Sequence, residues 1–304
     1  MRFIAVLNRD GGTLRTMNLD EFCGTARAIF ERHGHVLDCK IVAGKAVEKT
    51  LRKAAEAEDV DVIIAAGGDG TISTAASIAF ETGKPLAVLP AGTMNLFARA
   101  LKVPLGLTEA LEAIAGGEIG TVDIATANDR AFVHQFSVGI HTRLVRIREN
   151  MTYRSRVGKM LASLRAIGAA VINPPDFEAE LQTGKGVERR RVSGIAISNN
   201  PIGERQIHAD ALDGGVLGVD VADAMSTTAL LRLAVDVFMG NWRESSMVSE
   251  NEVREVTLYF PKRKRGAQAV IDGELVKLDR SVTLKVHPGA LKMVLPQKTD
   301  ISSV

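Results

Sequence analysis

Two glycine-containing loops, each set between an apolar strand pattern and a helical pattern, constrain the possible fold of this chain most strongly. The apolar run 62–66 continues into GGDGT at 67–71, and the apolar run 86–89 continues into PAGTMN at 90–95. Glycine permits positive φ angles and lets a bulky anion approach the backbone closely, while the start of the following helix adds a positive dipole end. Loops of this kind predict a polyphosphate site, although a tight strand-to-helix turn without a ligand also explains each loop alone.

The first part of the sequence, up to about residue 120, alternates short apolar runs with helical patterns, which predicts βαβ units and a parallel sheet covered on both faces. Predicted strands cover 3–7, 36–42, 60–65 and 86–89, and predicted helices cover 19–33, 47–57, 71–82 and a segment starting near 95. Both loops then lie at the carboxyl ends of strands, where open α/β sheets bind ligands. Two convergent loops favour a nucleotide. The residues expected to line the site are Gly67, Gly68, Asp69, Gly70, Thr71, Gly92, Thr93 and Asn95.

The sequence pattern changes after Gly117, where short strand patterns follow one another with few helices between them. Predicted strands cover 131–138, 177–182, 192–198, 216–221, 253–260, 269–271, 281–286 and 291–295. The two helical exceptions are 142–172, broken near Tyr153, and 227–239, whose leucines repeat at helical spacing. This part of the chain is therefore expected to form a second, mainly antiparallel domain.

Length, charge and cysteine content narrow the class of protein. A chain of 304 residues fits two domains of about 150 residues each. Its 38 basic and 36 acidic residues leave a net charge of +2, which is too small to indicate nucleic-acid binding. Cys23 and Cys39 are too few for a disulfide framework or a zinc site, and the N-terminus lacks a signal-peptide pattern. No uncharged apolar run is long enough to span a membrane, so a cytoplasmic protein is expected.

Three sequence motifs resemble the diacylglycerol kinase catalytic family, which also includes bacterial lipid kinases, sphingosine kinases and ceramide kinases. They are GGDGT at 67–71, PAGTMNLFARAL at 90–101 and IDGE at 271–274. Asn8 stands where that family has an Asn in its first strand, and LDGGVL at 212–217 resembles its acidic metal-site loop. The resemblance covers nearly the whole chain in the same order. GGDGT alone is less specific, because NAD kinases share it.

The resemblance implies a nucleotide-binding α/β domain over 1–122 and a lipid-side β-sandwich domain over 123–287, with a last strand at about 288–304 returning to the first domain. It also implies that ATP and Mg²⁺ bind between the two domains and that Asn8 joins the nucleotide site. Asp213 is the expected metal-site carboxylate. Asp123 lies in an apolar strand pattern, where a carboxylate is costly unless it is paired or near a metal, so both a metal role and a hydrogen-bonded structural role are open.

The acceptor side of phosphoryl transfer to an alcohol calls for a carboxylate that accepts the hydroxyl proton. Asp272 is the expected general base, supported by Glu274. The alternative for this pair is a plain Asp-Gly hairpin turn, since apolar residues flank it on both sides.

The chain departs from the family pattern at three places. Leu96 stands where the family often has an Asp of the metal network, and Gly214 stands where a second acid of the metal loop is common. Asp10 follows Asn8 in the first-strand loop, where it is expected to lie uncomfortably close to a phosphate. These departures weaken the metal assignments more than they weaken the fold assignment.

Two basic clusters suggest how a membrane lipid could be reached, because near-surface cations attract anionic bilayers by about 1 kcal/mol each. One is the helical region with Arg143, Arg146, Arg148, Arg154, Arg156, Lys159 and Arg165, and the other is 262–265. A solvated helix face is an equally good interpretation of the first cluster. Peripheral association with an anionic membrane surface is the expectation, and homodimerisation is left open.

The sequence thus predicts an ATP- and Mg²⁺-dependent lipid kinase that acts on diacylglycerol or a related lipid. Two alternatives are a kinase of a soluble alcohol, of the NAD kinase type, and a nucleotide-binding regulatory protein without turnover. Acceptor choice depends on the shape of an apolar site that motifs do not encode, so the sequence does not name the lipid.

Overall fold

The fold was analysed in a computed structural model that describes residues 1–149, 174–203, 207–239 and 248–297. The chain divides into two compact units. The first consists of the described parts of Met1–Ile124, Asp210–Gly214 and His287–Val304, and the second of those of Ala125–Ala209 and Gly215–Val286. The predicted second domain, 123–287, therefore includes eight residues that belong to the first unit: 123, 124, 210–214 and 287.

A parallel sheet forms the centre of the first unit. Its strands are β1 (Arg2–Asn8), β2 (Val36–Val42), β3 (Val62–Gly67) and β4 (Leu86–Pro90), in the order β2-β1-β3-β4. Its helices are α1 (Leu19–Arg32), α2 (Val47–Glu56), α3 (Asp69–Thr82), α4 (Leu96–Ala100) and α5 (Leu107–Ala115). All three pairings among these strands are parallel, which confirms the predicted α/β class.

Burial explains why these segments adopt these structures. Every residue of β3 is buried, as expected for a central strand with helices over both faces. Helix α1 begins at Asn18, whose side chain accepts a hydrogen bond from the backbone N–H of Glu21, and it buries Phe22, Ala26 and Phe30 at helical spacing. Helix α3 ends at Gly83, whose φ of 68° is a left-handed cap.

The second unit is built from antiparallel strands. They are β6 (Arg130–Phe132), β7 (Gln135–Gly139), β8 (Phe177–Thr183), β9 (Gly186–Asn199), β10 (Leu217–Asp223), β11 (Val248–Val253), β12 (Glu255–Tyr259), β13 (Gln268–Ile271) and β14 (Glu274–Lys277). Strands β5 (Glu118–Ala127) and β15 (Ser281–Leu295) each begin in one unit and end in the other. Two described helices, α6 (Ile140–Glu149) and α7 (Thr227–Met239), complete it.

The core of the second unit is a single apolar cluster that includes Phe132, Phe136, Ile197, Leu258 and Leu284. Successive residues of its strands alternate between this core and the opposite face, since Phe136 and Val138 belong to the cluster and Ser137 does not. The prediction of a mainly antiparallel second part of the chain is confirmed.

Several predicted boundaries differ from the structure. The predicted strand 131–138 is two strands, β6 and β7, because the chain turns a corner at Val133 and His134. The predicted strand 253–260 is likewise divided between β11 and β12, whereas 281–286 and 291–295 form the single strand β15. Helix α5 was not predicted. Of the predicted helix 142–172, residues up to 149 are helical, and 150–172 lie outside the described residues.

Within the described ranges, none of the helices combines the length and the apolar character that crossing a membrane requires.

Candidate nucleotide and phosphoryl-transfer site

Three loops of the first unit meet at the carboxyl ends of β1, β3 and β4. The backbone N–H of Ala91 donates to the carbonyl of Gly67 at 3.0 Å, and the N–H of Thr13 donates to the carbonyl of Ala91 at 2.9 Å. The amide Nδ2 of Asn8 donates to Oγ1 of Thr71 at 3.0 Å. The structure therefore brings together Asn8 and both glycine loops, as the sequence predicted for a ligand site at this edge.

Glycine is required where the loops touch. A Cβ on Gly92 would lie 2.6 Å from the Cα of Gly68, and a Cβ on Gly12 would lie 1.7 Å from the carbonyl oxygen of Ala91. Gly12 also has a φ of +44°. Gly68 differs, because a Cβ there would meet only the Cα of Gly92, at an ordinary 3.6 Å. The space beside Gly68 is thus left open by the protein.

The N-terminus of α3 faces this open space. Gly68 is the N-cap residue, and no side chain caps the helix there. The first N–H groups of an α-helix have no partner within the helix and attract anions. Thus α3, 14 residues long, presents the backbone donors that a phosphate needs.

Two predicted ligand-binding side chains instead hold the loops together. The carboxylate of Asp69 accepts the backbone N–H of Asn95 at 3.1 Å and that of Leu96 at 2.7 Å, so it caps α4. Asn95 has a left-handed backbone, with a φ of 51°, and its amide both accepts from the N–H and donates to the carbonyl of Gly92. These bonds fix the loop backbone, and backbone groups rather than these side chains are left to meet a ligand.

The remaining predicted members of the site include Gly70, Thr71 and Thr93. Gly70 and Thr71 lie in the first turn of α3, and Thr93 is exposed in the second loop. The carboxylate of Asp10 accepts the backbone N–H of Gly44 at 2.7 Å. Its charge is engaged in joining the first-strand loop to the segment before α2.

Asp123 and Asp213 lie on adjoining backbone segments of the first unit. The backbone N–H of Asp123 donates to the carbonyl of Leu212 at 2.6 Å. Asp123 therefore lies beside the residue that directly precedes Asp213 in the sequence. Asp123 is only 2% exposed, and its Oδ1 accepts the N–H of Gly289 at 2.9 Å. Asp213 is exposed. A buried, hydrogen-bonded carboxylate therefore stands beside an exposed one.

Asp123 and Asp213 would supply only part of the ligand set of a magnesium ion. Among the described residues, no group of three or more His, Cys, Asp or Glu side chains is arranged to hold a metal. Leu96 supplies only its backbone N–H, to Asp69. Mg²⁺ commonly keeps several waters and takes one or two carboxylates plus substrate phosphates. Asp213 and Asp123 are the two carboxylates on adjoining segments that such an ion could use, and among the described residues a cage made only of protein ligands does not form.

Asp272 occupies a two-residue turn between β13 and β14 in the second unit, where Ile271 pairs with Glu274. Its φ is +46° and that of Gly273 is +86°, as an Asp-Gly hairpin requires. Oδ1 accepts the backbone N–H groups of His134 at 2.9 Å and Gln135 at 3.0 Å, and Oδ2 accepts that of Val133 at 3.0 Å. The turn thus holds a carboxylate rigidly against the corner between β6 and β7.

Glu274 is exposed, and its Oε2 pairs with Nη2 of Arg130 at 2.5 Å. Sequence analysis missed this partner. It also missed Asn199, which is 1% exposed, donates its backbone N–H to His134 at 2.9 Å and reaches the carbonyl of Val133 at 3.4 Å. A polar residue directly after an apolar strand was the available signal, since buried amides need hydrogen-bond partners.

Residues 2–127 match the family model of the diacylglycerol kinase catalytic domain. Over this range the chain is similar to that catalytic domain. All three loops of the site lie inside the matched range, and Asp213, Asp272 and Glu274 lie outside it.

Relatives and solved structures agree with this assignment. An uncharacterised protein of Synechocystis is 26% identical over 83% of this chain, and the match spans 59% of that protein's length. A Staphylococcus aureus protein named "Putative lipid kinase" is 24% identical over 78% of each chain. A crystal structure named as that of "a putative diacylglycerol kinase" from Bacillus anthracis covers 97% of this chain and 95% of its own, with a TM-score of 0.78 at 19% identity. The fold is shared with that protein.

Proposed function

We propose that this protein is an ATP-dependent lipid kinase that transfers the γ-phosphoryl group of ATP to a hydroxyl of a membrane lipid, with diacylglycerol or a related lipid as the acceptor. The observation that carries the proposal is the open space beside Gly68, at the uncapped N-terminus of α3, within the range that matches the diacylglycerol kinase catalytic domain model. A helix N-terminus with free backbone N–H groups is suited to the phosphates of a nucleotide.

The nucleotide phosphates would be held by backbone N–H groups at the start of α3 and in the loop around Gly92. The hydrogen bonds from Gly92 to Asn95 and from Asn95 and Leu96 to Asp69 fix that backbone before a ligand arrives. A preorganised set of donors requires no rearrangement when negative charge develops during transfer. Asp213 and Asp123 would hold a magnesium ion bound with ATP, which supplies charge neutralisation for the phosphates.

Asp272 would accept the proton of the acceptor hydroxyl. The acceptor oxygen forms a bond to the γ-phosphorus, the bond from that phosphorus to the β,γ-bridging oxygen breaks, and ADP leaves with the electron pair of that bond. The proton passes to Asp272 and then to water. The backbone N–H groups of Val133, His134 and Gln135 hold the carboxylate that is proposed to face the hydroxyl. Glu274, paired with Arg130, is the proposed supporting carboxylate.

A nucleotide-binding regulatory role without turnover is the second candidate. It is favoured by Leu96, which contributes no carboxylate, and by the use of both oxygens of Asp69 in capping α4. A kinase of a soluble alcohol, of the NAD kinase type, is the third, because it shares GGDGT. Both candidates predict no transfer of phosphate into lipid.

The deciding experiment uses the purified full chain, ATP labelled in its γ-phosphate and Mg²⁺. Diacylglycerol, sphingosine and ceramide in mixed micelles are offered separately, and NAD is offered in solution. Label in one lipid supports the proposal and names the acceptor, whereas label in NAD alone favours the soluble-alcohol kinase. ATP binding without transfer to any acceptor favours the regulatory protein. Gly68→Val is the matched negative control, because it is designed to block the nucleotide and spare the fold.

Peripheral association with an anionic membrane, on the cytoplasmic side, remains part of the proposal. Arg143 and Arg146 of the predicted basic helical region lie in α6, and Arg154, Arg156, Lys159 and Arg165 lie outside the described residues.

A further inference from the structure

A cavity of about 820 Å³ opens in the second unit, at one end of its apolar core. Its floor includes Val138, Phe260 and Leu278, which belong to the core cluster, and Phe177, whose ring centroid lies 6.1 Å from that of Phe260. Its volume lies within the range of about 300–1,000 Å³ typical of sites for small organic ligands. The floor is therefore suited to hydrocarbon.

The rim of this cavity is strongly cationic. Seven cationic side chains line it, against two carboxylates: Arg143, Arg146, Arg191, Lys262, Arg263, Lys264 and Arg265, with Asp176 and Glu178. Four of the seven cations come from the loop between β12 and β13, at 262–265. An apolar floor under a cationic rim matches an amphiphile whose head is anionic, and a neutral lipid would leave the rim charge without a counterpart.

Both carboxylates of the rim form ion pairs with cations of the same rim. Asp176 makes two hydrogen bonds with the guanidinium of Arg191, at 2.6 and 2.5 Å, and Glu178 pairs with Nζ of Lys262 at 2.8 Å. The hydrogen bond from Arg191 lowers the pKa of Asp176, and that from Lys262 lowers the pKa of Glu178, so both stay ionised at neutral pH. Each carboxylate therefore neutralises one cation and leaves the excess positive charge of the rim in place.

The excess lies mainly on three exposed side chains. Arg146, Lys264 and Arg265 form no ion pair with any residue in the described part of the chain. Arg263 is oriented by a hydrogen bond from Nη1 to the carbonyl of Leu278 at 3.0 Å, which ties the basic loop to the cavity wall. Phosphate oxygens accept strong, charge-assisted hydrogen bonds from arginine and lysine.

We propose that this cavity is a binding site for an anionic membrane phospholipid, with the phosphate of the headgroup on the 262–265 rim and the adjoining hydrocarbon on the floor of Phe177 and Phe260. The residues that line the cavity all belong to the second unit, whereas the nucleotide loops belong to the first. This site gives the proposed membrane association a defined ligand. The inference rests on that association only for the source of the lipid. It is tested by lipid binding alone, without any measurement of phosphoryl transfer.

The test compares the full chain with Lys264→Glu/Arg265→Glu in sedimentation with vesicles of phosphatidylcholine alone and of phosphatidylcholine with about a third phosphatidylglycerol. The matched control, Lys49→Glu/Lys53→Glu, reverses two exposed lysines of α2 in the first unit. We expect the parent and the control to prefer the anionic vesicles, and the rim variant to bind them at least about tenfold more weakly, because each near-surface cation contributes about a factor of five. Equal binding to both vesicle types, or equal losses in both variants, would overturn the proposal.

A second arm separates a lipid site from a site for any soluble anion. Short-chain phosphatidylglycerol below its micellar concentration, glycerophosphoglycerol and inorganic phosphate are titrated calorimetrically into the full chain. The apolar floor predicts that only the first binds measurably, and that the rim variant loses this binding. Inorganic phosphate that binds as tightly as the short-chain lipid would show a free-anion site, and would contradict the proposal even if lipid kinase activity is found.

Discussion

At the scale of single residues, two polar side chains that the sequence predicted to bind a ligand form hydrogen bonds with the protein backbone instead. The carboxylate of Asp69 accepts two backbone N–H groups of the neighbouring loop, and the side-chain amide of Asn95 bonds to the backbone of Gly92 in its own loop. The residue that leaves room for a ligand is Gly68, which has no side chain at all. The proposed nucleotide site therefore consists mainly of exposed backbone, held in place by polar side chains.

Replacing Gly68 by Val tests this argument. We expect ATP to bind at least about tenfold more weakly, because losing one hydrogen bond to a charged group costs about 1.5–3 kcal/mol. The backbone of Gly68, with φ −85° and ψ −179°, suits any residue, so the free energy of unfolding should change by less than about 1 kcal/mol. Calorimetric titration with ATP and urea unfolding measure the two quantities.

Gly24→Val is the control, because Gly24 is an exposed glycine of α1 with open space around its Cα. It should leave ATP affinity unchanged. Unchanged affinity in Gly68→Val as well would mean that the loop is only a strand-to-helix turn.

Replacing Asp272 by Asn tests its proposed role as the general base. Asp272→Asn cannot accept a proton at neutral pH, so kcat should fall by about 10²- to 10⁴-fold while ATP affinity stays within a few-fold. The Asn amide nitrogen must also face a backbone N–H of the β6–β7 corner, which should lower the free energy of unfolding by about 1–3 kcal/mol. Steady-state kinetics on the identified lipid, run where urea unfolding shows the variant folded, separate the two effects.

Glu274→Gln should show a smaller loss of kcat, because its carboxylate is paired with Arg130 and makes no described bond to the Asp272 turn. Full activity in both variants would leave this segment as a hairpin turn and nothing more.

At the scale of elements, the sequence predicted best where one local cause determines structure. β3 is apolar throughout and buried throughout, and the loop after it was placed correctly because glycines follow the strand directly. The corner between β6 and β7 was not predictable from alternation, which continues through it. The corner is stabilised by hydrogen bonds to Asp272 and Asn199, more than 60 residues away in sequence. Long-range partners of this kind leave no local pattern.

Helix α4 supplies a test at this scale. It has five residues, too few to be stable alone, and its first N–H groups are capped by Asp69 from another loop. Asp69→Ala should lower the free energy of unfolding by about 0.5–2 kcal/mol, the usual cost of losing a capping side chain. Urea unfolding of this variant is compared with that of Glu31→Ala, an exposed carboxylate of α1 that should change stability little. A loss no larger than in the control would show that the cap does not hold the two loops together.

At the scale of the whole molecule, chain connectivity decides which carboxylates can act together. Asp210–Gly214 belong to the first unit although the chain on both sides belongs to the second. Leu212 attaches this segment to the first unit, because its side chain is buried and its carbonyl accepts the N–H of Asp123. The metal-loop motif indicated the chemistry of Asp213, but only the fold shows that it adjoins Asp123. A motif encodes residue types, and tertiary contacts decide their neighbours.

The same arrangement predicts how magnesium and nucleotide stabilise the whole chain. Among the described residues no group of three or more His, Cys, Asp or Glu side chains is arranged to hold a metal, so Mg²⁺ alone should bind weakly and leave the thermal midpoint unchanged. ATP together with Mg²⁺ should raise it, because a ligand at about 100 times its Kd adds about 2.7 kcal/mol to the stability of the folded state. Asp213→Asn should reduce the gain with ATP and Mg²⁺ and leave the metal-free chain unaffected, since Asp213 is exposed. Thermal unfolding with Mg²⁺, with ATP and EDTA, and with both ligands measures these three states. A clear rise with Mg²⁺ alone would mean that the protein builds a complete metal site in spite of Leu96 and Gly214.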